Sequence, residues 1–220
     1  MGLTIYQMPH SPFCIPITRA LGALGVPFQT IDVKPHTREE VIRATGGAYY
    51  QVPLLEHDGE LVYESSADSL DVARYVDRCF AGGRLFPQAI EAAHRSLVAF
   101  IENELELVGF RLCDIHYVRA IGDVVARTLI IRHKERKFGA GCLERWEKGH
   151  DELMSRFVEM LAPAEVTLAR QLFLFGEMPV YADFALFGVL ENVTYGGHNA
   201  LPSSMSNLAR WRGELRDFRY

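Results

Sequence analysis

Leu3-Thr4-Ile5-Tyr6-Gln7-Met8-Pro9-His10-Ser11-Pro12-Phe13-Cys14 is the stretch on which the fold turns. Leu3 to Met8 reads as a strand, after which Phe13, Ile17, Leu21 and Leu24 recur at helical spacing. Between the two, Ser11 offers a capping hydroxyl and Pro12 a fixed φ with no N–H to leave unpaired, so a helix is predicted to begin there. Gly25 followed by Val26-Pro27 ends it.

Working outward, Phe28 to Val33 reads as a second strand. Thr37-Arg38-Glu39-Glu40 has the spacing of a capping box for a short helix that stops near Gly46-Gly47. Gln51 to Glu56 and Leu61 to Tyr63 are predicted strands of a hairpin, reversed by Asp58-Gly59. Ser65 or Ser66 then caps a helix carrying Leu70, Ala73 and Val76. The order β-α-β-α-β-β-α is that of the thioredoxin fold, in which a reactive group sits where the first strand gives way to the first helix. Ser11 occupies that place, where backbone N–H groups and the helix dipole favour an anion such as a thiolate.

Ala81-Gly82-Gly83-Arg84-Leu85-Phe86-Pro87 suits a linker. The reading is therefore an α+β thioredoxin-like N-terminal domain over 1–80, a linker over 81–87 and an all-α helical bundle over 88–220. Amphipathic segments at 88–112, 114–137, 143–162 and 181–195, with a shorter one near 205–216, build the second half.

Composition excludes several classes. Among 220 residues, 28 Asp and Glu stand against 23 Lys and Arg, a net charge of −5 that repels a phosphate backbone and argues against nucleic acid. No run reaches the roughly 18 apolar residues of a membrane helix, and no basic segment precedes an apolar core at the N-terminus, so a cytoplasmic protein without a membrane partner is expected. Cysteines 14, 79, 113 and 142 form no CxxC pair, which suggests neither a disulfide framework nor a zinc site. Glu102 and Glu106 share a helix face without a His at ligand spacing, so no metal is expected.

On Ser11-Pro12-Phe13, Val52-Pro53, Glu64-Ser65 and Pro179-Val180-Tyr181-Ala182-Asp183-Phe184-Ala185-Leu186-Phe187, the chain resembles the cytosolic glutathione transferases along nearly its whole length. A looser resemblance, through Arg132-His133-Lys134-Glu135-Arg136-Lys137-Phe138-Gly139 and Tyr181-Ala182-Asp183, points to serine-type bacterial and fungal enzymes of the etherase-like group. The resemblance implies glutathione as co-substrate, no metal, a hydrophobic electrophile and a homodimer. It implies that the Ser11 hydroxyl donates to the glutathione sulfur and favours its thiolate. Phe13, Gln51, Val52 and Pro53 would hold the ligand, with Val52-Pro53 cis so that the Val52 backbone pairs with the cysteinyl part like an added strand. Glu64 would meet the α-ammonium and Ser65 the α-carboxylate of the γ-glutamyl end. His10, His116 and Tyr117 would line the electrophile pocket, the last two just after a break between helices. Asp183 would be structural, closing the start of a core helix, although Val180 stands where the family has a capping Ser or Thr. Cys14 has no assigned role. Two rival readings are a glutathione-dependent thiol-disulfide oxidoreductase, which a serine at position 11 counts against, and a non-catalytic glutathione-binding or interaction protein.

Overall fold

In the computed structural model, which describes residues 2–220, the first strand is β1 (Leu3–Gln7) and the first helix α1 (Cys14–Ala23). They are followed by β2 (Gln29–Asp32), α2 (Glu39–Ala44), β3 (Leu54–His57), β4 (Glu60–Val62) and α3 (Asp71–Val76). The sheet runs β2-β1-β3-β4, with β1 parallel to β2 and antiparallel to β3, which pairs antiparallel with β4. Ile5 lies opposite Leu55, and both are fully buried. On that face Ile17 and Leu21 of α1 and Val72 and Val76 of α3 complete the core. On the other face Met8, Val33, Leu54 and Val41 of α2 form a smaller apolar cluster. Successive side chains of β1 and β3 thus pack on opposite faces of the small sheet, while the edge strand β2 is exposed along its length. Asp58 and Gly59 both have positive φ, as a two-residue hairpin turn requires, and Asp58 tolerates it better than a branched residue would.

Two local expectations fail. Thr37 forms no capping box: Arg38, at φ 55°, precedes α2, and the Glu40 carboxylate instead accepts from the Lys34 N–H at 3.3 Å. Neither Ser65 nor Ser66 caps α3. Glu64 reaches forward to accept from the N–H groups of Asp71 (2.6 Å) and Val72 (3.3 Å), while Asp71 accepts from the N–H groups of Ser65 and Ser66. A carboxylate binds those free N–H groups more strongly than a hydroxyl does, so the loop 65–70 folds around the Glu64–Asp71 exchange.

In the helical half, α4 (Glu91–Phe100) continues through a π turn at Ile101–Leu105 into α5 (Glu106–Ala120). The break expected near 113 is absent. It falls instead at 121–123, where the Asp123 carboxylate caps α6 (Val124–Phe138) through the Val125 and Ala126 N–H groups. His116 and Tyr117 consequently lie inside α5. Next come α7 (Cys142–Lys148) and α8 (His150–Leu168), which share the predicted third segment but part at Gly149, then α9 (Tyr181–Val193) and α10 (Ser206–Asp217).

α9 is the axis of the molecule, with every residue from Tyr181 to Leu190 buried. Asp183 is fully buried at its start: one oxygen accepts from the Leu174 N–H and the Trp211 indole, the other from the Val180 N–H at 3.0 Å. The capping hydroxyl that Val180 lacks is replaced across the fold by His94 of α4, whose Nε2 accepts from the Ala182 N–H. Gly188 lets α9 meet the start of α1 without a gap; a Cβ there would stand 2.5 Å from the Pro12 carbonyl oxygen. One turn on, the Asn192 amide donates to the His10 carbonyl at 2.6 Å, so α9 holds the turn from His10 to Phe13 at both ends.

Candidate active site

That turn is where the chemistry expected of Ser11 would lie. The Ser11 carbonyl accepts from the Cys14 and Ile15 N–H groups, and its hydroxyl oxygen accepts from the N–H groups of Phe13 (3.2 Å) and Cys14 (3.4 Å). Ser11 therefore caps the helix by its hydrogen bonds, although regular helix begins at Cys14. With the oxygen engaged twice as acceptor, the hydroxyl proton is the group left to donate. Cys14 is fully buried, and burial pushes its thiol up to about 11, which suits an inert core residue.

A cleft of about 910 Å³ opens beside this turn. Phe13, Gln51, Val52, Pro53 and Glu64, five residues expected at the ligand from separate segments, all line it. The Val52–Pro53 peptide is cis, and the β3 ladder begins only at Leu54, so the Val52 backbone stands at the cleft outside the sheet pairing. Ser11 is buried and is not among the lining residues; Phe13 presents the turn to the cleft. Ser65 also lies elsewhere, its hydroxyl 3.0 Å from Asp71, while Ser66 and Asp68 take the place on the cleft wall.

The opposite wall is α4 and the π turn that continues it, which contribute Arg95, Ala99 and Glu102, with Tyr181 of α9 beneath. In the sequence Glu102 stands out only as a rejected metal ligand, and Arg95 and Ala99 have no assigned role. Their spacing of four and then three marks one helical face, a signal that was present but shared with any amphipathic helix. Glu102 accepts from the Tyr181 hydroxyl at 3.2 Å. Burial pushes its carboxyl up to about 8, against the opposing pull of that hydrogen bond. Glu64 is raised to about 7 by burial, while its bonds from Asp71 and Val72 pull it down. Tyr49, also on the wall, is raised to about 12 by burial and then by the Glu64 charge.

His10 and Tyr117 are brought together, their rings stacked at 3.9 Å, with Tyr195 at 5.5 Å from His10. Burial, and then the Lys134 charge, pushes His10 down to about 4. His116 is apart from them, stacked on His198 at 4.5 Å and 6.1 Å from His150. None of the three lines the main cleft. Among the described residues no group of three or more His, Cys, Asp or Glu is arranged to hold a metal ion, and no helix is long and apolar enough to cross a membrane.

The fold and cleft define a class: a thioredoxin-like sheet presenting a helix N-terminus and a cis-proline loop to a cleft walled by a helical half. Residues 5–83 match the family model described as glutathione S-transferase, N-terminal domain, and residues 143–214 match that of the C-terminal domain. A "Probable glutathione S-transferase" of Nicotiana tabacum is 25% identical over 211 residues, covering 93% of this chain and 79% of that protein. Two crystal structures from Phanerochaete chrysosporium share the fold. Glutathione transferase GSTFuA3 is 16% identical with a TM-score of 0.80, covering 100% of this chain and 98% of that one. GSTFuA2 is 18% identical with a TM-score of 0.77, covering 100% and 99%. The chain belongs to the glutathione S-transferase family, enzymes for which glutathione is the co-substrate.

Proposed function

We propose that the protein activates the glutathione thiolate and adds it to a hydrophobic electrophile, working in the cytoplasm as a homodimer. The observation that carries this reading is the convergence of Phe13, Gln51, Val52, Pro53 and Glu64 on one cleft beside the start of α1. The cysteinyl backbone pairs with Val52, and the γ-glutamyl end meets Glu64, Ser66 and Asp68. The domain over 1–80 thus holds the peptide, the linker over 81–87 joins the halves, and the helices over 88–220 supply the electrophile's wall, through Val98 and Ala99 of α4. The Ser11 hydroxyl donates a hydrogen bond to the sulfur and so favours its thiolate. A free thiol with pKa near 8.5 is only a few per cent ionised at about pH 7, so each unit of depression raises the nucleophile almost tenfold.

An oxidoreductase is disfavoured by the serine at 11 and by the buried, unreactive Cys14. Calorimetry with glutathione and steady-state conjugation of an aryl halide test the reading together: binding with turnover is expected. Binding without turnover on aryl halides, epoxides and enones would leave a glutathione-binding protein instead. Light scattering that returns one 24.9 kDa chain at micromolar concentration would refute the dimer.

A further inference from the structure

We propose that Glu102 is the general acid for electrophiles whose attack by the thiolate leaves negative charge on oxygen, epoxides above all. The inference rests on the glutathione-transfer reading and names the substrate class of that cleft.

Glu102 stands just past α4, across from Glu64, and shares the cleft with Phe13, which marks the start of α1. The π turn at Ile101–Leu105 carries it: the extra residue re-aims the helix face at this point, and Ile101 and Leu105 on either side stay buried. Tyr181 donates to Oε1, and no second donor to Glu102 is found among the described residues. The two oxygens are therefore unequal. Oε1 already accepts a hydrogen bond, so a carboxylic acid here carries its proton on Oε2. Burial keeps that proton in place at neutral pH, with the carboxyl raised to about 8. Facing it are Tyr181 from α9, Glu106 from the next turn, Glu64 and Asp68 from across the cleft, and Arg95 two turns earlier on α4. Burial first, and then the three acidic neighbours, keep the proton on Glu102; the tyrosine bond acts against it.

Such a group is of little use to an aryl halide, whose leaving chloride needs no proton. It suits ring opening. The thiolate forms a C–S bond, the C–O bond breaks with its electron pair going to oxygen, and that oxygen takes the proton from Oε2. The Glu102 carboxylate regains a proton from water, and the product is the β-hydroxy thioether. Tyr181 is a positioning residue, holding Oε1 and leaving Oε2 without a donor.

The test compares initial rates of the full chain with glutathione and either styrene oxide or 1-chloro-2,4-dinitrobenzene. Glu102→Gln keeps the shape and the acceptor for Tyr181 but has no proton to transfer. It should lower kcat/KM for styrene oxide by roughly 100-fold, the scale of one general acid, and by about 30 times more than for the aryl halide. The wild-type epoxide rate should fall above about pH 8, the aryl-halide rate should not, and Glu102→Gln should lack the falling limb. Tyr181→Phe removes the bond that lowers the carboxyl and should move the limb to higher pH, which serves as the readout if Glu102→Gln is poorly folded. Equal losses on both substrates, or a limb that neither variant alters, overturn the inference alone. Wild-type protein that conjugates neither substrate overturns the glutathione-transfer reading and the inference with it.

Discussion

His94 Nε2 accepts the Ala182 N–H at 3.0 Å, closing the start of α9 from a helix 88 residues earlier in the chain. Only neutral imidazole can do this, and the ring is buried between Phe86 and Phe175. Burial, and then the Arg74 charge, pushes it from the ordinary 6.5 down to about 4. Between those values the unfolded chain binds a proton that the folded one does not. The contribution of His94 is thus complete above about pH 6.5 and is lost progressively as pH falls toward 4. His94→Leu should cost about 1–3 kcal/mol at pH 7.5, the penalty of a buried unpaired N–H. The cost should shrink by pH 5. Urea unfolding of both proteins at the two pH values checks this, and a cost that does not change with pH would show that His94 is not the cap.

Glu64 and Ser65, adjacent in sequence, should separate in function. Glu64→Gln keeps an oxygen for the Asp71 N–H but loses the charge proposed to meet the glutathione ammonium. Its Kd for glutathione should rise roughly 10–100-fold, as expected for one charge-assisted hydrogen bond. Ser65→Ala should change Kd by less than about twofold, because the Ser65 hydroxyl bonds Asp71 away from the cleft; Ser66→Ala should do more. Calorimetry in which Ser65→Ala weakens binding as strongly as Glu64→Gln would return the γ-glutamyl site to Ser65.

What was legible in the chain was local. A period-two run, a Ser-Pro turn and a helical spacing within the first 24 residues give β1 and α1; Asp58-Gly59 gives the hairpin; Val52-Pro53 marks the loop now found at the cleft. What was illegible depends on a partner distant in sequence. The Thr37 box had the right spacing, yet Glu40 found the Lys34 N–H. The α3 cap came from Glu64, seven residues before the N–H it binds, and the α9 cap from His94, beyond any window in which a cap is sought. Gly109 lies inside the long helix, which runs on past the break expected near 113. Its role is to make room: a Cβ there would stand 2.9 Å from Val193 and 3.2 Å from Phe157.

Gly188 should prove as sensitive as any residue that touches ligand. In Gly188→Ala the new Cβ would meet the Pro12 carbonyl oxygen at 2.5 Å and the Pro16 ring at 2.7 Å, and neither can rotate away. Either α1 or α9 must shift. The expected cost is about 1–3 kcal/mol of stability, typical of overpacking, and the displaced group carries the turn between Ser11 and Phe13. Conjugation should therefore fall further than in an equally destabilised variant remote from the turn, such as Leu208→Ala on the buried face of α10. Equal activity in the two at matched temperature below unfolding would remove the link between α9 and the turn.

The last prediction concerns what the Ser11 hydroxyl does once its oxygen is occupied. Two N–H groups, of Phe13 and Cys14, fix that oxygen, so the hydroxyl can serve glutathione only as a donor. Ser11→Ala removes both functions. It should cost about 1 kcal/mol of stability for the cap and roughly 10–1,000-fold in kcat/KM for conjugation, the range for one preorganised donor to a developing or held anion. Ser11→Thr retains the hydroxyl and should recover most of both. Ser11→Cys places a thiol at the same helix end, where its pKa falls and it becomes the better nucleophile. Cys14, three residues on, would be the natural resolving thiol, but it is fully buried and raised to about 11. With oxidised glutathione the Ser11→Cys variant should therefore stop at a mixed disulfide, seen as one added glutathionyl group by mass spectrometry, and should turn over disulfides poorly. Efficient disulfide reduction by that variant would mean that Cys14 is exposed in solution, and full conjugation by Ser11→Ala would mean that Ser11 is a cap and nothing more.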